Sequence, residues 1–279
     1  MTLVAQAGIV LGVTVISVAL LWAARRGPYN ERFASEVGEH NKAFDFLGTA
    51  FAVLLAFVVL EAYDSYNSAK SGTELEAQAV LELSRTAEAY EPEENARLKG
   101  ALVCYGRAVI HDGWPAMREE SSSQLVNDWG TRFRQEVLGL SPSTFIQKDS
   151  FRQMLIEQDE RIEGRRTRLA EAIRVVPLPL WIVLLIGAAL TIGWVILSAG
   201  RKGSFLVQGA VVVSVSVMVM SALLLVWFLD HPFADEHGAI TPIEMEHALH
   251  TIDEEVEASH LIEVAPPCTA EGDPVERLD

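Results

Sequence analysis

Residues 175–229 are the part of the sequence that most clearly indicates the fold, and they read VVPLPLWIVLLIGAALTIGWVILSAGRKGSFLVQGAVVVSVSVMVMSALLLVWFL. The stretch holds two runs, 175–199 and 204–229, that contain no Asp, Glu, Lys or Arg. A helix rises about 1.5 Å per residue, so about 20 apolar residues cross a hydrocarbon core of about 30 Å. The sequence therefore predicts two membrane-spanning helices joined by the tight basic turn at 200–203.

Two further uncharged runs, 3–24 and 46–60, form a second pair. The first run lacks the basic start and the small-residue cleavage site of a signal peptide, so we interpret it as a retained anchor helix. The second run has only fifteen uncharged residues, and a helix of that length covers about 22 Å, which is less than the bilayer core. Together the runs predict four membrane spans.

The fold class predicted is an all-α membrane protein, with four transmembrane helices as two hairpins and an inserted helical soluble domain. No stretch between the hairpins shows the alternation of a strand. The predicted domains are a first transmembrane hairpin at 1–60, a helical soluble domain at 61–174, a second transmembrane hairpin at 175–229, and an acidic, partly disordered C-terminal tail at 230–279.

Break signals divide the soluble domain into helices. The second span has no break signal before Tyr90, so it is predicted to continue as one long helix. Glu91-Pro92 restarts a helix that runs to about His111, because proline and acidic residues suit a first turn. The predicted break at 112–115 comes next. Further helices are predicted from the cap at Ser121-Ser122-Ser123 to about Leu138, and from Ser141-Pro142 towards Val175.

Negative charge is concentrated at the C-terminal end. The chain has a formal net charge of −16, and residues 230–279 contain fourteen acidic residues and one basic residue, Arg277. This charge argues against nucleic-acid binding, because phosphate contacts need basic patches, and no nucleic-acid partner is expected. Disorder is predicted after Pro267, where the sequence lacks the apolar residues of a packed core.

Histidines and carboxylates in the tail have the spacing of a metal site. Glu246-His247, His250 and Asp253 or Glu254 recur about one helical turn apart, which could hold a divalent cation. A solvated acidic tail explains the same residues without a metal. No metal ligand and no cofactor is therefore assigned.

The two cysteines carry little information in the sequence. Cys104 and Cys268 fit no metal or redox spacing. We interpret them as ordinary small residues rather than as a disulfide, and they leave the compartment undecided.

The side of the membrane that the soluble domain faces is left open by the charges. The short loops carry six basic residues, which favour the cytoplasmic side: Arg25, Arg26, Arg32, Lys42, Arg201 and Lys202. Six others lie near the opposite membrane surface: Lys70, Arg161, Arg165, Arg166, Arg168 and Arg174. Because short loops weigh more than long ones, the balance favours short loops inside, with the domain and the tail outside.

Several segments together resemble a known family. They are Asn41, the span 46–60 with Glu61-Ala62-Tyr63-Asp64-Ser65-Tyr66, Glu76-Ala77, Tyr105, Trp114-Pro115, 161–168, Pro179-Leu180-Trp181 and Asp230-His231-Pro232-Phe233. In order and spacing they resemble the bacterial DUF4239 family, also called bestrophin-like, across nearly the whole chain. Two departures are Gly113, where an acidic residue is expected before Trp-Pro, and the four residues at 234–237 before Gly238.

The resemblance implies a function only by analogy. The family itself has no assigned function, and its name refers to bestrophins, which are pentameric anion channels. In bestrophins the second membrane helix lines the pore, the helical domain is cytosolic, and an acidic calcium-binding stretch follows the fourth span. Asp230, Asp235 and Glu236 follow the fourth span in this chain and correspond approximately to that calcium-binding stretch. This analogy favours a soluble domain inside, against the balance of the short-loop charges.

The second span holds the pore candidates. Phe51, Leu55 and Val58 share one helical face and could form an apolar constriction, and Glu61 near the membrane exit could set ion entry. The same stripe also suits plain helix packing. Gly48, Ala52 and Ala56 recur every four residues, which suits packing within the chain or an oligomer interface.

Three arginines are the anion or lipid candidates. Arg161, Arg165 and Arg168 fall on one helical face, where guanidinium groups could bind lipid headgroups, attract anions or pair with carboxylates of the first soluble helix. If the two helices leave the membrane side by side, equal heights place Glu76 or Glu82 beside Arg161 or Arg165.

The sequence is compatible with two functional classes. The first is a bestrophin-like, multi-pass protein of the inner (plasma) membrane that forms an oligomeric anion channel, with membrane lipids, a homo-oligomer and chloride or another anion as partners. The alternative is a non-transporting scaffold or sensor that recruits partners through its helical domain and acidic tail. No catalytic residue is assigned and no enzyme is expected, because no nucleophile elbow, phosphate loop or metalloprotease pair is recognisable.

Overall fold

The computed structural model describes residues 3–26, 41–198, 203–258 and 265–275, with the side chains at 3 and 41–45 excepted. The loop at 27–40 and most of the basic turn at 200–203 lie outside the described residues. Nine α-helices are described, with these bounds: α1 Leu3–Arg26, α2 Asn41–Thr86, α3 Pro92–Ala108, α4 Trp114–Arg118, α5 Gln124–Leu138, α6 Phe145–Ala170, α7 Leu178–Leu197, α8 Phe205–Leu229 and α9 Ile243–Ala258.

Four helices of the described residues are long and apolar enough to cross a membrane. They lie in the ranges Val4–Arg26, Phe46–Ala89, Leu178–Leu197 and Phe205–Leu229. The predicted class, an all-α membrane protein with four membrane helices, is confirmed. The second span also continues without interruption to Thr86, as predicted. The arrangement of the spans as two hairpins stays a prediction. Helix α1 packs on α7 and α8, and α7 packs on α8.

Contacts divide the chain into two compact units. The first, here the membrane unit, comprises Met1–Ser65, Arg174–His231 and Asp235–Gly238. The second, here the helical unit, comprises Tyr66–Ile173, Pro232–Ala234 and Ala239–Asp279. The predicted boundaries differ at the C-terminal end, where a separate tail was expected and contacts group residues 239–279 with the helical unit.

The membrane unit contains two apolar clusters. One gathers side chains of α2, α7 and α8 around Leu184, which is completely buried, and the other joins α1 to α7 and α8 through Leu21, Ile196 and Val212. Asp230 fixes the start of α7, because its Oδ1 accepts hydrogen bonds from the backbone N–H groups of Val175 and Val176 at 2.9 and 2.8 Å. This acceptor satisfies donors that lie just before the helix.

The helical unit has one core, built from α2, α3, α5, α6 and α9. Trp129 and Phe133 of α5 and Met154 of α6 are completely buried in it. Met245 and Ile252 of α9 join the same core. The acidic helix α9 is therefore a packed element with one apolar face rather than a solvated tail.

Two helix boundaries differ from prediction. Residues Val109–Gly113 form a π-helix that continues α3 into α4, so the chain does not break before Trp114-Pro115. A proline lacks the N–H of a regular helix and crowds the carbonyl four residues back, and a widened π turn accommodates both. Helix α6 begins at Phe145, because Thr144 and Gln147 form a reciprocal capping box.

The C-terminal segment corrects two predictions. Cys104 of α3 and Cys268 form a disulfide, although the sequence suggested two ordinary small residues. Residues 265–275 are packed rather than disordered, since Trp129 donates its indole N–H to the Gly272 carbonyl at 2.8 Å. An isolated bridge joins Cys268 to Pro274.

Candidate functional site

Helices α2 and α6 touch through their backbones at two glycines. A Cβ atom on Gly164 would lie 2.6 Å from the Glu76 backbone N and 2.8 Å from the Gly72 carbonyl O. A Cβ atom on Gly72 would lie 2.9 Å from the Arg168 backbone N. Any larger residue would force the helices apart, so this glycine contact sets the register of the side chains on either side of it.

A buried ion pair follows from that register. Arg168 of α6 donates from Nε to Glu76 Oε2 at 2.6 Å and from Nη2 to Glu76 Oε1 at 3.1 Å, and both side chains are 1% exposed. Two parallel bonds between a guanidinium and a carboxylate are both directional and strong. Equal heights predicted Glu76 or Glu82 beside Arg161 or Arg165. The arginine bonded to Glu76 is Arg168, the third member of the predicted arginine face, because the Gly72–Gly164 contact brings it level with Glu76.

The ion pair is enclosed by aromatic side chains. The Tyr105 hydroxyl donates to Glu76 Oε1, and the Arg168 guanidinium lies over the Trp114 ring at 5.1 Å from its centroid. Burial and the Glu76 charge raise the pKa of Tyr105 to about 12, which keeps its proton on the hydroxyl. Burial alone lowers the pKa of Arg168, but the charge of Glu76 and its hydrogen bonds outweigh this and raise the pKa above its ordinary value.

Arg161 lies beside this network, and no ion pair joins it to a carboxylate among the described residues. Its guanidinium stacks on the Tyr105 ring at 4.3 Å from the centroid, and its Nε donates to Gln158 Oε1 at 3.1 Å. Arg161 is only 3% exposed. Its Nη1 and the Gln158 Nε2 are buried donors with no hydrogen-bond partner among the described residues. Buried donors without an acceptor, one of them cationic, suit an anion or another strong acceptor.

The other charged candidates of the helical unit have separate surroundings. Glu82 pairs with Arg85 on the surface, and Glu88 accepts from the buried Lys99 at 2.9 Å. Arg165 is half-buried and Arg166 is exposed beside Glu163. The structure therefore brings Arg161 and Arg168 together around Tyr105, and leaves Arg165 closer to solvent.

The predicted pore residues lie on two different faces of α2. Phe51 and Val58 are 9% and 5% exposed and belong to the apolar cluster of the membrane unit, and Leu55 is partly buried against the same cluster. Phe51 lies so close to Gly187 that a Cβ there would fall 2.3 Å from its ring. Glu61 is exposed. Their surroundings favour a packing role for Phe51, Leu55 and Val58.

The opposite face of α2 is left exposed by the described residues of the chain. Val53, Phe57 and Leu60 are 50%, 66% and 55% exposed, and Asp64 follows one turn later. Positions 53, 57, 60 and 64 repeat at helical spacing and form one stripe. The sequence did not predict this stripe, because both faces of α2 carry apolar residues at helical spacing. Only the packing of the folded chain shows which face is buried and which is exposed.

A cleft of about 860 Å³ lies between α2 and α7. Gly48 and Ala52 of the small-residue face contribute to its wall, with Gly187 and Leu190 opposite. A Cβ atom on Gly48 would meet nothing within 4 Å, so no described residue of the membrane unit packs closely on this small-residue face.

The tail residues that suggested a cation site are dispersed. His250 Nδ1 lies 3.6 Å from Glu254 on the exposed face of α9, and Asp230 is committed to the backbone before α7. No group of three or more His, Cys, Asp and Glu side chains able to hold a metal ion occurs in residues 3–26, 41–198, 203–258 and 265–275.

Comparison with known proteins gives one family and one fold. The model of a bestrophin-like domain matches residues 11–240. A leucine-to-threonine variant of a bacterial bestrophin homologue from Klebsiella pneumoniae superposes with a TM-score of 0.70 at 16% identity, covering 90% of this chain and 98% of that chain. An isoleucine-to-threonine variant from the same organism gives 0.68 at 16% identity, covering 89% and 99%. No curated protein matches the sequence. At this identity the structural likeness shows a shared fold.

Proposed function

Because this chain belongs to the bestrophin-like family, we propose that it is an oligomeric anion channel of the inner (plasma) membrane, with α2 as the pore-lining helix. The proposal is of a channel and not of an enzyme. It is supported by the family, by four helices able to span a membrane, and by a fold shared with bacterial bestrophin homologues.

The observation that carries the proposal is the uncovered stripe of α2. Val53, Phe57 and Leu60 stand away from the cluster that buries Phe51 and Val58. Copies of α2 arranged around an axis would turn this stripe towards one another and form an apolar constriction, which gates ions by excluding water. We therefore assign the pore lining to the face of α2 that carries Val53, Phe57 and Leu60, and no longer to Phe51, Leu55 and Val58. Glu61 remains a candidate for ion entry, because its side chain is exposed.

The anion specificity of the proposal is supported in the helical unit. Arg161 offers a buried positive charge with an unpaired Nη1, and the neighbouring Gln158 Nε2 is a second unpaired donor. Chloride or a similar small anion is an acceptor that both donors could share. The charge of Arg168 is neutralised by Glu76, so in this proposal Arg168 does not bind the anion and helps to hold α2 and α6 in register. Arg165 is only half-buried and is accessible to anions or to lipid headgroups.

Halide flux into liposomes tests the proposal. Purified protein reconstituted with a halide-sensitive dye inside should quench that dye when an inward iodide or chloride gradient is applied. Protein-free liposomes supply the baseline, and potassium gluconate supplies a gradient of an anion too large for a narrow apolar pore. Flux equal to the baseline, together with a monomeric mass in detergent, would contradict the proposal.

A second candidate function is favoured by the surface of α9. Its apolar face packs into the helical unit, whereas Glu244, Glu246, Asp253, Glu254 and Glu257 are exposed. Such an acidic face suits a basic protein partner, as expected of a non-transporting scaffold or sensor. A protein that gives no halide flux but retains a partner through α9, and loses it when these five carboxylates become amides, would support the scaffold.

A further inference from the structure

The Cys104–Cys268 disulfide ties two distant parts of the helical unit together. The two residues are separated by 164 positions, and their Cα atoms are 5.7 Å apart. Both side chains are buried, at 0% and 6% exposure, in the core that contains Trp129 and Leu102. Among the described residues no cysteine is free.

Contacts that do not involve sulfur hold the same two segments together. Gly272 has a φ of +93°, and a Cβ there would lie 2.6 Å from the Ala108 backbone N, so the segment runs directly against α3. Arg107 donates to the Thr269 carbonyl at 3.2 Å, and Trp129 donates to the Gly272 carbonyl. Folding alone therefore brings the two cysteines together, and the surrounding redox conditions decide whether they become oxidised.

We infer that the helical unit lies on the oxidising, non-cytoplasmic side of the membrane. Formation of the bond removes two protons and two electrons from two thiols, and the disulfide of a thiol–disulfide oxidoreductase accepts them and becomes a dithiol. Such oxidants act outside the cytoplasm, where protein disulfides persist, while cytosolic thiols are kept reduced. A buried disulfide that completes a domain core is a structural feature of exported domains. The inference goes beyond the proposed function and does not depend on it.

The basic residues of the short loops favour the same orientation, since short loops weigh more than the equal number of basic residues near the opposite membrane surface. The helical unit is joined to α2 and to α7, so its position outside places the connections at 27–40 and 199–202 on the cytoplasmic side. Arg25 and Arg26 end α1, and Arg201 and Lys202 precede α8. Basic residues in short loops are retained in the cytoplasm. Of the two orientations that the sequence leaves open, the disulfide favours the one opposite to the cytosolic domain implied by the bestrophin analogy.

Thiol trapping in cells tests the oxidation state. Cells expressing the full chain are lysed directly into denaturant that contains a maleimide coupled to a polymer of about 5 kDa. Each free thiol that reacts slows the protein on a gel by one visible step. Wild-type protein should show no step unless it is reduced first, and then two. Cys104→Ser should show one step without reduction, since Cys268 loses its partner. Two steps in unreduced wild-type protein would overturn the inference.

Labelling of intact cells tests the side of the membrane independently. The native cysteines are paired, so single cysteines can be added at Ser121, in an exposed loop of the helical unit, and at Ser204, at the exposed start of α8. A membrane-impermeant maleimide should label Ser121→Cys in intact cells and Ser204→Cys only after permeabilisation. The reverse pattern would place the helical unit in the cytoplasm and overturn the inference. Neither experiment measures flux, so a failed channel assay leaves both results interpretable.

Discussion

Gly72 and Gly164 meet where α2 crosses α6, so closely that a Cβ on Gly164 would lie 2.8 Å from the Gly72 carbonyl O. This contact brings Arg168 to Glu76 and leaves Arg161 stacked on Tyr105. Two residues without side chains thus determine which arginine is neutralised and which keeps an unpaired donor.

Substitution of the crossing glycine should destabilise the helical unit. Gly164→Ala places a methyl group against backbone atoms of α2, which cannot move aside as a side chain can, and a loss of about 1–3 kcal/mol is expected. Thermal unfolding in detergent, followed by circular dichroism, measures it. Gly193→Ala is the control, because a Cβ there meets nothing within 4 Å. Equal stabilities of the two variants would contradict the backbone contact.

Glu76 and Arg168 should be energetically coupled. Arg168→Met alone leaves a buried carboxylate without its counter-ion, at a cost of about 3–5 kcal/mol. Adding Glu76→Leu removes the stranded charge, so the double variant should recover about 1 kcal/mol or more of that loss. Arg166→Gln, which removes a surface charge paired with Glu163, should change stability by less than about 0.5 kcal/mol. Strictly additive losses for Glu76→Leu and Arg168→Met would refute the pair.

Tyr105 should make the protein sensitive to alkaline pH. An unfolded tyrosine ionises near pH 10, whereas burial raises the pKa of Tyr105 to about 12 in the folded protein. Its contribution is therefore complete below pH 10 and is lost as the pH rises from 10 to 12, by about 2 kcal/mol. Tyr105→Phe should flatten this part of the stability profile, and Tyr63→Phe, an exposed control, should not. Parallel profiles for wild type and Tyr105→Phe would contradict the assignment.

Arg161 should bind a small anion. A ligand at ten times its Kd stabilises the folded state by about 1.4 kcal/mol, so chloride should raise the Tm relative to gluconate at equal ionic strength. Arg161→Met should abolish the difference, because it removes the unpaired Nη1 and the charge. Arg166→Gln, on the exposed face of the same helix, should retain it. A chloride effect that survives Arg161→Met would place the anion elsewhere.

The sequence predicted those features that depend on neighbouring residues. The apolar runs located the spans, and Glu91-Pro92 and the Ser121-Ser122-Ser123 cap marked helix starts that the structure confirms. The start of α6 was also encoded locally, in the Thr144 and Gln147 capping box, but the Ser141-Pro142 pair gave a competing signal.

Features that depend on contacts between distant segments could not be predicted. Cys104 and Cys268 are 164 positions apart, and nothing in their spacing indicates that the chain end packs on α3. The partner of Glu76 depends on a glycine contact between helices, and equal distances from the membrane gave the wrong arginine. The two faces of α2 are similarly apolar, so only the packing of Phe51 and Val58 identifies the uncovered one.

Covalent block of halide flux tests the central claim, a pore lined by the uncovered face of α2, most directly. The native cysteines are paired, so Phe57→Cys introduces a single reactive thiol on that face, and Leu185→Cys introduces one on the exposed face of α7. In reconstituted liposomes, a water-soluble methanethiosulfonate reagent should reduce halide flux through Phe57→Cys by about tenfold, an order-of-magnitude expectation for a blocked constriction. Flux through Leu185→Cys should be unchanged. Equal insensitivity of two conducting variants, or the absence of halide flux in wild-type protein, would contradict the account.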